Sequence, residues 1–350
     1  PQGVSAIGLN PLHPLYQNNP AHCSPYSPMS RCFLNTHYID VEATPNFNEC
    51  KLAQKRVYSK AFQAKIKASK ASELVDYAGV AELKYQVLEI LFKHFVKHAS
   101  SSDQQEFSAF KTSHGNDLIK HATFDALYEH FRHLDFNAFG WKTWPQAYQN
   151  PNSEEVQTFR KEKADRIDYF AFLQWLAHRQ LQAANETAKE NGMPVGLYLD
   201  LAVGCDGSGV DVWSDKEVYV ASAAVGAPPD LLNTLGQDWG LTPINPVALQ
   251  KQGFMPLVKA LRSNMQYAGA LRIDHILGLM RQYWVAPGMQ ADQGVFITFP
   301  LQEILRIIAL ESRRNQCVVI GEDLGTVPEG FGEIMHSAGL LSYKVLYFET

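Results

Sequence analysis

Three apolar runs in this chain each end in a carboxylate. "GLYLD" closes on Asp200, "LRID" on Asp274, and "VVIGED" on Glu322 and Asp323. Each run has the length of a buried strand, not of a helix, and gives way at once to a loop. A carboxylate at such a place costs desolvation unless it is paired or put to use. One alone could be a helix N-cap or a surface turn residue. Three at equivalent strand ends point to a shared mouth.

Helical patterns separate the strands. "LQEILRIIALESRRNQ" is amphipathic at helical spacing, and "PEGFGEIMHSAG" reads as a helix with Pro328 at its start and Gly339 near its end. Apolar strands alternating with helices imply parallel βαβ units with the helices outside. The expected fold class is α/β: a (β/α)8 TIM barrel, incomplete at both ends in this chain, with a largely helical insertion.

The chain reads as three segments. Residues 1–45 carry the strand "VSAIGLN" and a loop rich in Pro, Asn and Ser over 11–40, whose Tyr16, Tyr26, Phe33 and Tyr38 argue against disorder. Residues 46–190 are mainly helical: in "YQVLEILFKHFVKH", Val87, Leu88, Leu91, Phe92 and Phe95 form one stripe. "EEVQTFRKEKADRIDYFAFLQWLAHRQL" reads as one long helical stretch, and Trp141, Trp144 and Trp175 are expected in the core. Residues 191–350 return to the barrel and its catalytic strands. The chain begins at Pro1 with a strand almost at once, and it stops just after the strand-like "YKVLYF". Both ends read as cut inside a larger fold.

Composition narrows the function. The chain has 350 residues, 46% hydrophobic and 19% charged, with a net charge of −5. A nucleic-acid partner would need a basic face, which this balance does not offer. No apolar run approaches the length of a membrane span. The five cysteines, Cys23, Cys32, Cys50, Cys205 and Cys317, contain no CxxC pair, so a disulfide framework or zinc site is not expected and a cytoplasmic setting is. Neither an EF-hand loop nor HExxH is present, and no metal or other cofactor is called for. Nothing in the sequence speaks to oligomeric state.

In barrels of this class, reactive groups come from the C-terminal ends of strands. Asp274 and Glu322 are separated by one loop, one helix and one strand, so they fall on neighbouring strands and face one mouth. Two carboxylates flanking a bond are what retaining glycosidic chemistry requires, one as nucleophile and one as acid/base. Arg272, two residues before Asp274, shares its face of the strand and should lower its pKa. Glu322 must start protonated, which an apolar setting would favour, and "CVVIG" is apolar. A structural Arg272–Asp274 ion pair inside the barrel is an equally open reading of the same residues.

At these residues the chain resembles a known family. "LRIDHILGL" and "VVIGEDLGTVPE" are similar to the nucleophile and acid/base motifs of the bacterial 4-alpha-glucanotransferases (amylomaltases), relatives of the α-amylases. The likeness continues through "SPYSPMSRCFLNTHYID", "GLYLDLAVG", "GAPPDLLNTLGQDWGL" and "ALESRRNQCVVIGEDLGT", and it is weakest over 51–185.

The resemblance implies transfer of α-1,4-glucan segments between maltodextrins through a covalent glucosyl-aspartate. Asp274 would be the nucleophile, Glu322 the acid/base, and Arg272 the group holding Asp274 ionised. Asp200 and His275 would bind the sugar where it is cleaved, with Tyr26 stacking on it or hydrogen-bonding to it. Asp230 and Trp239 would lie in a mobile loop over the acceptor side that keeps water out. The family's third catalytic Asp is expected beyond residue 350, so the 350 residues alone are expected to be inactive. An α-glucan hydrolase and a catalytically dead glucan-binding protein are the alternatives.

Overall fold

A computed structural model describes residues 3–231, 233–343 and 346. Its strands are β1 (Ala6–Gly8), β2 (Gly196–Leu201), β3 (Cys205–Asp206), β4 (Ala224–Ala227), β5 (Gln237–Thr242), β6 (Ala270–Ile273), β7 (Arg281–Val285), β8 (Val295–Thr298), β9 (Val318–Gly321) and β10 (Leu341–Ser342). Its helices are α1 (Lys51–Val57), α2 (Lys60–Ala71), α3 (Tyr77–His98), α4 (Ser101–Leu134), α5 (Glu154–Glu162), α6 (Ala164–Glu190), α7 (Val210–Ser214), α8 (Pro246–Lys251), α9 (Met255–Met265), α10 (Leu301–Asn315) and α11 (Phe331–Ser337). The strand expected over "YKVLYF" falls mostly outside the described residues.

The chain divides into two compact units, whose limits differ from the sequence breaks at 45/46 and 190/191. The first holds Pro1–Pro14, Ser24–Phe33 and Gln182–Thr350; the second holds Leu15–Cys23 and Leu34–Leu181.

In the first unit, β1, β2, β6, β9 and β10 form a parallel sheet in that order. Side chains alternate along each strand. Leu197, Leu199 and Leu201 of β2, and Leu271 and Ile273 of β6, are buried. The intervening Asp200 and Arg272 are register partners and project to the other face. Helix α10 carries a buried stripe, Ile304, Leu305, Ile308 and Glu311, at helical spacing. It ends where Gln316 turns into the left-handed region, at φ 52°.

A second, antiparallel sheet of the same unit runs β3-β5-β4-β7-β8. It corrects the reading of "GAPPDLLNTLGQDWGL" as a loop. The ends of that stretch are β4 and β5, and only residues 228–236 connect them. Gly226 is required there, because a Cβ would stand 2.0 Å from the Gln237 carbonyl oxygen. Helix α11 is also shorter than expected: it starts after Gly330 (φ 79°), past Pro328.

The second unit is helical. Ser59, Asp76, Ser100 and Ser153 cap α2, α3, α4 and α5 by accepting a backbone N–H with their side chains. Helix α4 is broken at Gly115, where φ 50° and ψ −131° leave helical space. The stretch read as one helix over 154–181 is two, parted at Lys163. Trp141, Trp144 and Trp175 are buried, as their type predicts. Trp175 packs in a ring cluster with Phe95, Phe107 and Phe172.

Candidate active site

The parallel sheet sets the site. Because Asp200 and Arg272 are partners on adjacent strands, their side chains meet above the sheet, with Arg272 Nη1 2.7 Å from Asp200 Oδ1. The chain then leaves β6, and Asp274 turns back so that its Oδ1 lies 2.7 Å from Arg272 Nη2. The same nitrogen is 4.0 Å from Glu322 Oε2, at the end of β9. One guanidinium thus joins the ends of three neighbouring strands.

Backbone amides hold the second carboxylate. Glu322 accepts the His275 N–H at Oε2 and the Leu324 N–H at Oε1, both at 2.9 Å. His275 can aim its amide this way because its backbone is left-handed, at φ 46° and ψ 58°, an uncommon state for a residue with a side chain. The apolar setting expected for Glu322 is therefore corrected. It is buried at 9% exposure, but held by two backbone N–H donors, one from its own loop and one from just past the end of β6.

Electrostatics modify a second expectation. Burial pushes the Asp274 carboxyl up to about 6; Arg272 pulls it down, as its placement suggested, but does not outweigh the burial. Asp200 is also raised, chiefly by burial, against the opposing pull of Arg272 and Tyr26. Burial disfavours the Arg272 cation, yet its bond to Asp200 and the charges of Asp274 and Asp200 raise its pKa further. His275 is lowered by burial, which favours the neutral imidazole.

A cavity of about 500 Å³ opens over these groups. Tyr26, Asp230, Trp239, Asp274, His275 and Glu322 all line it. The Trp239 indole meets the His275 ring edge-on, with centroids 5.1 Å apart. Asp230 sits in the 228–236 connection, where its Oδ1 accepts the Asn233 N–H at 2.6 Å.

Asp200 and Arg272 do not line the cavity. The two oxygens of Asp200 are engaged by Arg272 and by the Tyr26 hydroxyl, which donates at 3.1 Å. Asp200 thus orients two side chains, Arg272 and Tyr26. Tyr26 is itself pushed up to about 12, by burial first and then by Asp200.

Sequence reasoning missed the support beneath this cluster. His13 and Arg31 are buried below the end of β2. His13 Nε2 accepts the Ala202 N–H at 3.2 Å, while Arg31 Nη1 donates to the Ala202 and Val203 carbonyls at 3.2 and 3.0 Å. Burial and the Arg31 charge push His13 down to about 3, which keeps it an acceptor. It also missed Arg281, Tyr283 and Phe296 in the cavity wall. The alternation in "RQYWV" and "VFIT" was the available signal. Among the described residues no cluster of metal-ligating side chains occurs, and no helix is long and apolar enough to cross a membrane.

The 4-alpha-glucanotransferase family model matches residues 1–350. A 4-alpha-glucanotransferase of Haemophilus influenzae is 39% identical over 353 residues, covering 99% of this chain and 50% of that protein. One of Mycobacterium tuberculosis is 33% identical over 354 residues, covering 99% and 47%. The chain thus spans about half the length of these curated relatives. Among solved structures, the amylomaltase of Corynebacterium glutamicum superposes with a TM-score of 0.85 at 31% identity, covering 99% of this chain and 46% of that one. The Streptococcus agalactiae amylomaltase in complex with acarbose gives 0.81 at 22% identity, covering 98% and 66%, a likeness of fold. The α/β barrel class read from the sequence is the fold of these neighbours, and the five parallel strands described above are this chain's part of it.

Proposed function

The chain belongs to the 4-alpha-glucanotransferase family, and from that premise we propose that the full-length protein transfers α-1,4-glucan segments between maltodextrins. The observation that carries the reading is the Arg272 guanidinium linking Asp200 and Asp274 while standing 4.0 Å from Glu322, beside a cavity of about 500 Å³ lined by Tyr26, Trp239, Asp274, His275 and Glu322.

In the first step, Asp274 Oδ attacks the anomeric carbon. The glycosidic C1–O4 bond breaks, and Glu322 gives its proton to the leaving O4. In the second, the 4-hydroxyl of an acceptor sugar attacks C1. Its proton passes to Glu322, the ester bond breaks, and the Asp274 carboxylate is restored. The shared Arg272 nitrogen, 2.7 Å from Asp274 Oδ1 and 4.0 Å from Glu322 Oε2, holds these oxygens no more than 6.7 Å apart, a bound that admits the separation of about 5–5.5 Å of the retaining class.

Arg272 favours the ionised nucleophile, and Asp200 aims both Arg272 and the Tyr26 hydroxyl. The neutral His275 imidazole can hydrogen-bond a sugar hydroxyl. Asp230, Trp239 and the 228–236 connection cover the acceptor side, so that a sugar hydroxyl, and not water, meets the ester. The five free thiols suit a reducing cytoplasm.

The test is to incubate the full-length protein with maltotriose. Glucose plus longer maltodextrins, with the number of reducing ends constant, is the expected product pattern. A rising count of reducing ends means hydrolysis, and no reaction sinks the reading.

A further inference from the structure

One face of the antiparallel sheet forms a wall of the cavity. Gln237, Trp239 and Leu241 alternate along β5, Arg281 and Tyr283 along β7, and with Phe296 of β8 they all line the same space. Gly226 of β4 stands in register with Tyr283, and Tyr283 with Phe296. The row therefore runs low at Gly226 and rises to two rings, 5.2 Å apart and edge-on. Trp239, beside the nucleophile, and Phe296 are on strands three places apart in the sheet, a span of about 14 Å at ~4.8 Å per strand.

Phe296 is unusual for its place. It is 41% exposed on the edge strand of this sheet, where an aromatic is a liability unless something uses it. The Arg281 guanidinium sits 4.3 Å from its ring centroid. Among the described residues Arg281 meets no carboxylate at ion-pair distance and no hydrogen-bond acceptor. Its planar fork of N–H donors is thus free toward the cavity it lines.

We propose that Phe296 and Arg281 form a saccharide subsite distant from the cleaved bond, which selects for glucan length. It rests on the α-glucan reading given above. The ring offers its face to the C–H face of a pyranose, and the guanidinium donates to that sugar's hydroxyls. Short maltodextrins bound at the nucleophile do not reach the subsite, and longer ones do.

The test compares kcat/KM on maltoheptaose and maltotriose for the full-length protein and for Phe296→Ala and Arg281→Gln. In each variant the maltoheptaose-to-maltotriose ratio should fall about tenfold, the loss of ~1.4 kcal/mol of binding. Phe296→Tyr should restore it, since it keeps the stacking face. A ratio equal to wild type in both Phe296→Ala and Arg281→Gln overturns the proposal, as does an equal loss on both sugars. If the wild-type protein turns over neither sugar, the transferase reading fails by itself. The subsite is then read from calorimetric binding of maltoheptaose to Asp274→Asn. Weaker binding on adding Phe296→Ala supports the subsite, and unchanged affinity overturns it.

Discussion

Arg272 stands opposite Asp200 in the register of β2 and β6, and the two are joined at 2.7 Å. The pair is a strut: Asp200 takes one arm of the guanidinium, which leaves the other for Asp274. Both readings of "LRID" contain the Arg272–Asp274 ion pair. The ion pair fixes the position of the Asp274 carboxylate, the group proposed above as nucleophile.

Removing either reactive carboxylate should abolish turnover without unfolding the protein. Asp274→Asn and Glu322→Gln are each expected to lower kcat/KM by about 10³ or more, and the double variant little further, since the groups act as a unit. Glucose release from maltotriose, beside urea unfolding midpoints, checks this.

The pH profile should carry the mark of Asp274. Its carboxyl is pushed up to about 6, so kcat/KM should fall as pH drops through that value. Arg272 opposes the shift, and Arg272→Gln should move this acid limb to higher pH. The sign for stability is opposite. A raised acid favours its protonated form in the fold, so the folded state loses stability as pH rises through about 6. Asp274→Asn removes that loss, and it should be more stabilising, relative to wild type, at high pH than at low pH. Chemical denaturation across pH measures the difference.

Tyr26→Phe deletes only the hydroxyl that donates to Asp200. A hydrogen bond to a charged acceptor contributes roughly 1.5–3 kcal/mol. A drop in kcat/KM of tenfold or somewhat more is expected, with an unchanged circular dichroism spectrum. A drop under twofold would leave Tyr26 as loop packing.

Glu311 should matter to stability and not to chemistry. It is buried on α10, takes both Nε and Nη2 of Arg262 on α9 at 2.8 Å, and accepts from Arg314 as well. Glu311→Gln is expected to cost about 1–3 kcal/mol in urea unfolding. The Arg262 bond holds its carboxyl below the usual range, so this stability is present above the unfolded value and lost as pH falls through the folded one.

In the helical unit, Trp175→Ala opens a hole among Phe95, Phe107 and Phe172. Loss of about 3–5 kcal/mol is expected, read from denaturant midpoints.

Much of this was legible in sequence because it rests on side-chain periodicity. Apolar runs expose β2, β6 and β9, and a period of two puts Arg272 and Asp274 on one face; the stripe in α10 is equally plain. What was hidden lies in backbone groups and long-range burial. The amides of His275 and Leu324 that hold Glu322 have no sequence signature, so "CVVIG" misled about its setting. The sign of the Asp274 shift depends on how deeply the mouth is buried, which Arg272 alone cannot reveal. Sheet β3-β5-β4-β7-β8 escaped notice because Gly226 in β4 and Gly240 in β5 break the apolar pattern.

The left-handed turn at His275 has a mechanical consequence. The residue after Asp274 grips Glu322 by its amide, Glu322 returns its own N–H to Ile273, and its carbonyl accepts from Ile276. The carboxylates of Asp274 and Glu322 are therefore jaws of one caliper. Under the proposed mechanism, a displacement of β6 would carry β9 with it through these bonds, and the gap between Asp274 and Glu322 would hold while the walls around it move.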